Sequence, residues 1–203
     1  MVPLDDCDTA TKYHHLGRPQ KVALATLTKP AELVHPATIT KSLLTDEMYI
    51  GDFGFAAKGG IDSQAIKDWR SPVEFCAPEL YHKASASFAS DMWSYMCIFA
   101  QLYLGHFIFP SGIHSNMRVL GSLPEQWKGL IEGSKEEWYD QSRTVDTKAQ
   151  IERRIDRLVP NADHTKRSHA ISILMRGFRY LPEERFTATQ LLQDQSFKAL
   201  TEI

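Results

Sequence analysis

The chain has 203 residues, 43% of them apolar, and a formal net charge of −2 at neutral pH. That length supports one sizeable core or two small ones, and the mildly acidic balance argues against an electrostatic nucleic-acid binder. Cys7, Cys76 and Cys97 are odd in number and far apart, which argues against a disulfide framework or a thiolate zinc site and for a reducing location, the cytoplasm or nucleus.

The start, MVPLDDCDTATKYHH, has acidic residues and no apolar run, so it does not read as a secretory signal. Up to about Thr45 the chain reads as extended segments and loops, with Pro3, Pro19, Pro30 and Pro36 and little helical periodicity. KVALATL, Lys21 to Leu27, predicts a short strand, and MYIGDF a strand entering a glycine turn. The polar stretch from Gly59-Gly60 to Ser71 reads as a loop. Adjacent histidines on extended chain point apart, so Tyr13-His14-His15 reads as surface rather than as a metal site.

From Pro78 the pattern turns helical. Between Met92 and Met117 there is no Asp, Glu, Lys or Arg. Ser94, Gln101 and His106 interrupt that run, Pro110 ends it, and it lacks positive flanks. It therefore reads as a buried helix capped by Ser90 and Asp91 and stopped by Gly105, and not as a membrane span. Thr147 to Leu158 predicts a surface helix docked through Ile151, Ile155 and Leu158. Asp163 is expected to cap a helix reaching Phe178, with Ala170, Ile171 and Leu174 inside. Thr187 and Gln190 have the form of a capping box before a last helix, ATQLLQD. Trp127 and Trp138 are expected to pack inward. His164 and His169, and the acidic stretch Glu132, Glu136, Glu137 and Asp140, read as solvated surface.

Four short motifs stand in order: Asp52-Phe53-Gly54, Ala77-Pro78-Glu79, SDMWS at 90–94 with Asp91 and Trp93, and ERFTA at 184–188 with Arg185. Each alone is weak. A carboxylate before a glycine turn can hold magnesium between phosphates, or it can be a turn aspartate. A glutamate opening a helix suits the helix dipole whatever else it does.

Together, in this order and spacing, they resemble the protein kinase family, in the C-terminal part of its large lobe, over roughly Leu43 to Phe197. The finer tone is that of fungal SR-protein-kinase-like sequences. The resemblance implies an α+β, predominantly α-helical fold: a large lobe over residues 43–203 without the small lobe, preceded by an extended, insert-like segment at 1–42. It makes 52–79 the activation segment, with Ser63 and Ser71 as candidate phosphosites, and 80–203 the helical core. Asp52 becomes the magnesium ligand of Mg-ATP, with Phe53 packed inward and Gly54 completing the nucleotide-side turn. Glu79 pairs with Arg185, and Asp91 holds backbone amides of the catalytic loop. The implied partner is a protein or peptide, with no nucleic acid and no membrane. The apolar face bared by the missing lobe implies self-association.

The family's chemistry needs a glycine-rich lid, a strand lysine and a catalytic loop bearing a base and a second metal ligand. Ahead of Gly51 the only glycine is Gly17, and no Asp or Glu lies between Glu32 and Asp46. The loop's counterpart, Val34 to Lys41, places Pro36 at the base and Lys41 at the second ligand. Pro72 stands five residues before Ala77, where many kinases have threonine. Two readings stay open: part of a Ser/Thr kinase that is silent alone, or a pseudokinase-type binding module.

Overall fold

The computed structural model describes residues 8–24, 31–35, 50–51, 53–56 and 72–201. Asp52, Ser63, Ser71 and half of the expected MYIGDF strand lie outside the described residues; Ile50 and Gly51 are not in a strand and Phe53–Phe55 forms a 3-10 turn, which corrects that expectation. The chain divides into two units, Met1–Gly54 and Phe55–Ile203.

The first unit holds helix α1 (Thr9–Leu16) and an antiparallel pair, β1 (Lys21–Leu24) and β2 (Ala31–Val34), with Lys21 opposite Val34. Helix α1 corrects the expectation of extended chain throughout this region. Asp8 caps it by accepting from the Thr11 amide at 2.8 Å, and Gly17, at φ 73°, ends it. None of its residues is buried, so it has no apolar stripe for periodicity to detect. His14 and His15 accordingly lie on a helix, with ring centroids 5.3 Å apart. Strand β1 falls within the expected segment, whereas β2 was not expected: AELV is four residues without β-branched alternation.

The second unit is built around α3 (Phe88–Leu104), with α2 (Pro78–Tyr81), α4 (Ile113–Leu120), α5 (Thr147–Leu158), α6 (His164–Gly177), α7 (Ala188–Gln193) and α8 (Gln195–Thr201). The described residues are thus predominantly helical, with one two-stranded sheet, in keeping with the expected fold class. The cap of α3 is Ser87, in a capping box with Ser90, and not Ser90 or Asp91 themselves. Gly105 closes α3 in the left-handed conformation, φ 71°. Trp93, Met96, Cys97, Ala100 and Leu104 face the core against Ala170, Ile173 and Leu174 of α6. The helix is buried on one side only: Phe88 (79% exposed), Tyr95, Ile98 and Leu102 (81%) face outward. Among the described residues no helix is long and apolar enough to cross a membrane.

Helix α6 has the expected cap, Asp163, and α5 has one that was not expected, Asp146. Ile151 and Ile155 are fully buried. The Thr187–Gln190 capping box opens α7. The chain does not end on that helix, however. Asp194 accepts from the Ser196 and Phe197 amides and starts α8, which packs on α6 through Phe197. A second cluster joins Ile113, Leu123, Trp127 and Tyr139, with Trp138 half-buried against it.

Helices α3 and α6 are in close contact at Gly177, where a Cβ would stand 2.6 Å from Met96 Cε and 2.8 Å from its Cγ. Gly177→Ala should lower stability by about 1–3 kcal/mol through overpacking, against the roughly 1 kcal/mol that alanine gains as a helix former. Urea unfolding checks the sign; an unchanged or raised midpoint means Met96 yields without cost.

Candidate functional site around a buried ion pair

Ala77 is fully buried, and Pro78 takes the first turn of α2, where a missing N–H costs nothing. Glu79 follows in that turn, where the helix dipole favours a carboxylate, and is 2% exposed. Arg185 comes from the turn after Pro182–Glu184 and is 5% exposed. The two meet end-on: Arg185 Nη2 donates to Glu79 Oε2 at 2.6 Å and Nη1 to Oε1 at 2.7 Å. The remaining donors reach backbone carbonyls. Nη1 donates to Ala89 at 2.9 Å, Nε to Arg179 at 2.8 Å and Nη2 to Tyr180 at 2.7 Å. All five guanidinium N–H groups are therefore used. Ser90 Oγ donates to Glu79 Oε1 at 2.9 Å, so the carboxylate is tied to α3 as well.

Trp93 forms one wall of this site, with the Arg185 guanidinium carbon 5.1 Å from the centre of its ring. It stacks on Phe109 at 5.3 Å and meets Phe178 edge-on at 5.2 Å. A cation enclosed by carboxylate, carbonyls and an aromatic face has its donors satisfied by the protein itself. The segment preceding Ala77 joins the same helix, since Ser94 Oγ donates to the Phe75 carbonyl at 2.9 Å.

Asp91 lies in the first turn of α3 and is exposed at the residue level, yet partial desolvation of its carboxyl raises its pKa. Among the described residues its carboxylate has no hydrogen-bond partner. Phe53 is 67% exposed, which corrects its expected inward packing. Among the first unit's residues whose burial is described, none is buried, so none of them forms a core around the ring. Gly54 is exposed beside it.

One buried group was missed in the sequence. His82, 3% exposed, donates from Nδ1 to the Pro78 carbonyl at 2.8 Å and lies 3.3 Å by Nε2 from the Tyr139 hydroxyl. Its ring lies 4.6 Å from that of Trp127, and burial lowers its pKa. A lone histidine after an apolar helix turn carries no spacing signal that would have singled it out. Burial pushes the Cys76 thiol up to about 11 and raises that of Cys97 too, which disfavours the nucleophilic thiolate.

No group of three metal-ligating side chains occurs among the described residues. The acidic stretch is solvated. Glu136 pairs with Lys128 at 3.1 Å, and Asp140 accepts from the Ser142 amide at 2.9 Å. His164 is exposed, whereas His169 is half-buried with Nδ1 3.1 Å from Ser196 Oγ.

Removing one partner of a buried pair strands the other, at a cost of about 3–5 kcal/mol. Arg185→Ala and Glu79→Ala should each destabilise on that scale, and the double variant should lose less than their sum. A double-mutant cycle by urea unfolding measures the coupling; strictly additive losses would contradict it.

The sequence model described as "Protein kinase domain" matches residues 39–197, well over half of the chain. Mitogen-activated protein kinase 19 of Arabidopsis thaliana is 27% identical over 206 residues, covering 97% of this chain and 34% of its own length. Cyclin-dependent kinase C-2 of the same plant is 28% identical over 181 residues, covering 82% of this chain and 33% of its own. Mitogen-activated protein kinase HOG1 of Wallemia muriae is 27% identical over 173 residues, with 81% and 58% covered. The chain thus spans about a third of the length of the first two. With the ordered motifs and the Glu79–Arg185 clamp, the match places this chain in the protein kinase domain family.

Proposed function

We propose that the chain is the protein-facing helical lobe of a Ser/Thr protein kinase, and that by itself it transfers no phosphate. The observation that carries this reading is the Glu79–Arg185 pair, which fixes the end of segment 52–79 to α3 inside the matched span. The family reaction moves the γ-phosphoryl group of ATP to a protein hydroxyl. It rests on two metal ligands, a base and a phosphate lid. These 203 residues offer Asp52 alone, with Lys41 and Pro36 where the second ligand and the base belong. That donor set does not fit Mg-ATP.

Within this reading, Ser63 and Ser71 are the phosphosites of the segment, and Asp91 is the anchor for backbone amides of a catalytic loop. YIGDFGFA and the inserted helix α5 support kinship with SR-protein-kinase-like chains. Free, buried Cys76 and Cys97 support a cytoplasmic or nuclear setting. A second reading, a pseudokinase-type binding module, draws on the outward apolar stripe of α3: Phe88, Tyr95, Ile98 and Leu102. An exposed stripe of this kind favours self-association.

Purified chain should incorporate no radiolabelled phosphate into an Arg-Ser peptide, and Mg-ATP should leave its melting temperature unchanged, because a ligand stabilises only what it binds. A rise of several degrees that disappears in Asp52→Ala overturns the silent reading. A longer form carrying the missing loop separates the two readings: activity there supports the kinase, continued silence the module. Sedimentation velocity should show partial self-association that is reduced by Leu102→Gln; a clean monomer at all concentrations refutes that part.

A further inference from the structure

Three arginines converge where α4 packs against α5. Arg118 is exposed in the last turn of α4. Arg154 and Arg157, three residues apart, share one face of α5. Arg154 is half-buried. Desolvation lowers its pKa, and Arg157 and Arg118 lower it further.

None of the three guanidinium groups has a carboxylate or carbonyl partner among the described residues. The acids of α5 are engaged elsewhere: Glu152 with Lys148 at 3.8 Å, and Asp156 with Arg167 at 2.7 Å. Like charges this close repel one another, so the cluster adds nothing to the stability of the fold. It is a local excess of positive charge on a chain whose net charge is −2.

We propose that Arg118, Arg154 and Arg157 form a docking site for the phosphoryl group of a phosphorylated serine or threonine in a partner protein. The guanidinium fork matches phosphate oxygens two at a time, and Arg clusters are the usual readers of phosphorylated segments. The charge balance favours this occupant: three cations face a group of about two negative charges at neutral pH. The size of the patch favours it too. Glu152 and Asp156 on the same helix confine the positive surface, whereas anionic membranes attract clusters of about 4–8 basic residues and nucleic acid needs a basic stripe. The site needs no ATP, so it stands or falls separately from the phosphate-transfer reading.

Fluorescence anisotropy on the whole chain tests it with a labelled Gly-Ala peptide carrying one phosphoserine. Controls are the unphosphorylated peptide, phosphatidylserine vesicles and inorganic phosphate as competitor. The phosphopeptide should bind, the plain peptide should not, and phosphate should displace it. Arg154→Gln and Arg118→Gln should each weaken binding about tenfold, with far-UV circular dichroism and melting temperature unchanged. Should Arg154→Gln unfold the chain, the exposed Arg118 carries the test. Absence of binding at millimolar peptide, equal binding of the plain peptide, binding to vesicles alone, or full affinity in Arg118→Gln each overturns the proposal.

Discussion

A guanidinium ion withdrawn from water must be surrounded by acceptors, or the fold that encloses it fails. Arg185 meets that demand through five donors spread over four partners: Glu79 twice, and the carbonyls of Ala89, Arg179 and Tyr180. Those partners belong to α2, to the first turn of α3 and to the segment after α6. The positions of three separate pieces are therefore dictated by one side chain. Trp93 closes the remaining side, and through Phe109 and Phe178 the same cation is joined to the aromatic centre of the core.

Where local chemistry and burial agree, the structure was legible from residues alone. Helix α5 has a capping aspartate and an apolar stripe at Ile151 and Ile155, and its bounds coincide with those expected. Helices α6 and α7 follow the same logic. Legibility failed where an element lacks a buried face. Helix α1 has a cap and a glycine stop but no buried residue, and β2 is too short to alternate. In α8 a single buried phenylalanine, Phe197, carries the docking. The start of α3 shifted because two serines three apart, Ser87 and Ser90, satisfy each other's backbone, a reciprocity that a search for one cap residue overlooks.

The site was legible to a different degree. The partnership of Glu79 and Arg185 came from resemblance, since no periodicity links residues so far apart. Its three carbonyl acceptors could not be read at all, because the direction of a carbonyl is a property of the folded backbone. The same holds for His82, whose burial against Trp127 arises from packing between α2 and a loop more than forty residues away. Charge crowding at Arg118, Arg154 and Arg157 is equally invisible in one dimension, for it exists only once α4 lies on α5.

Glu79 and Arg185 are separated by 106 positions in the chain. At about 5–20 residues per second of synthesis, the glutamate is added to the chain roughly 5–20 seconds before its cation exists. Throughout that interval α2 cannot settle, since settling would enclose an uncompensated carboxylate. The clamp around α2 must therefore close only after Arg185 has been translated, by late capture of the earlier helix, and not progressively along the chain.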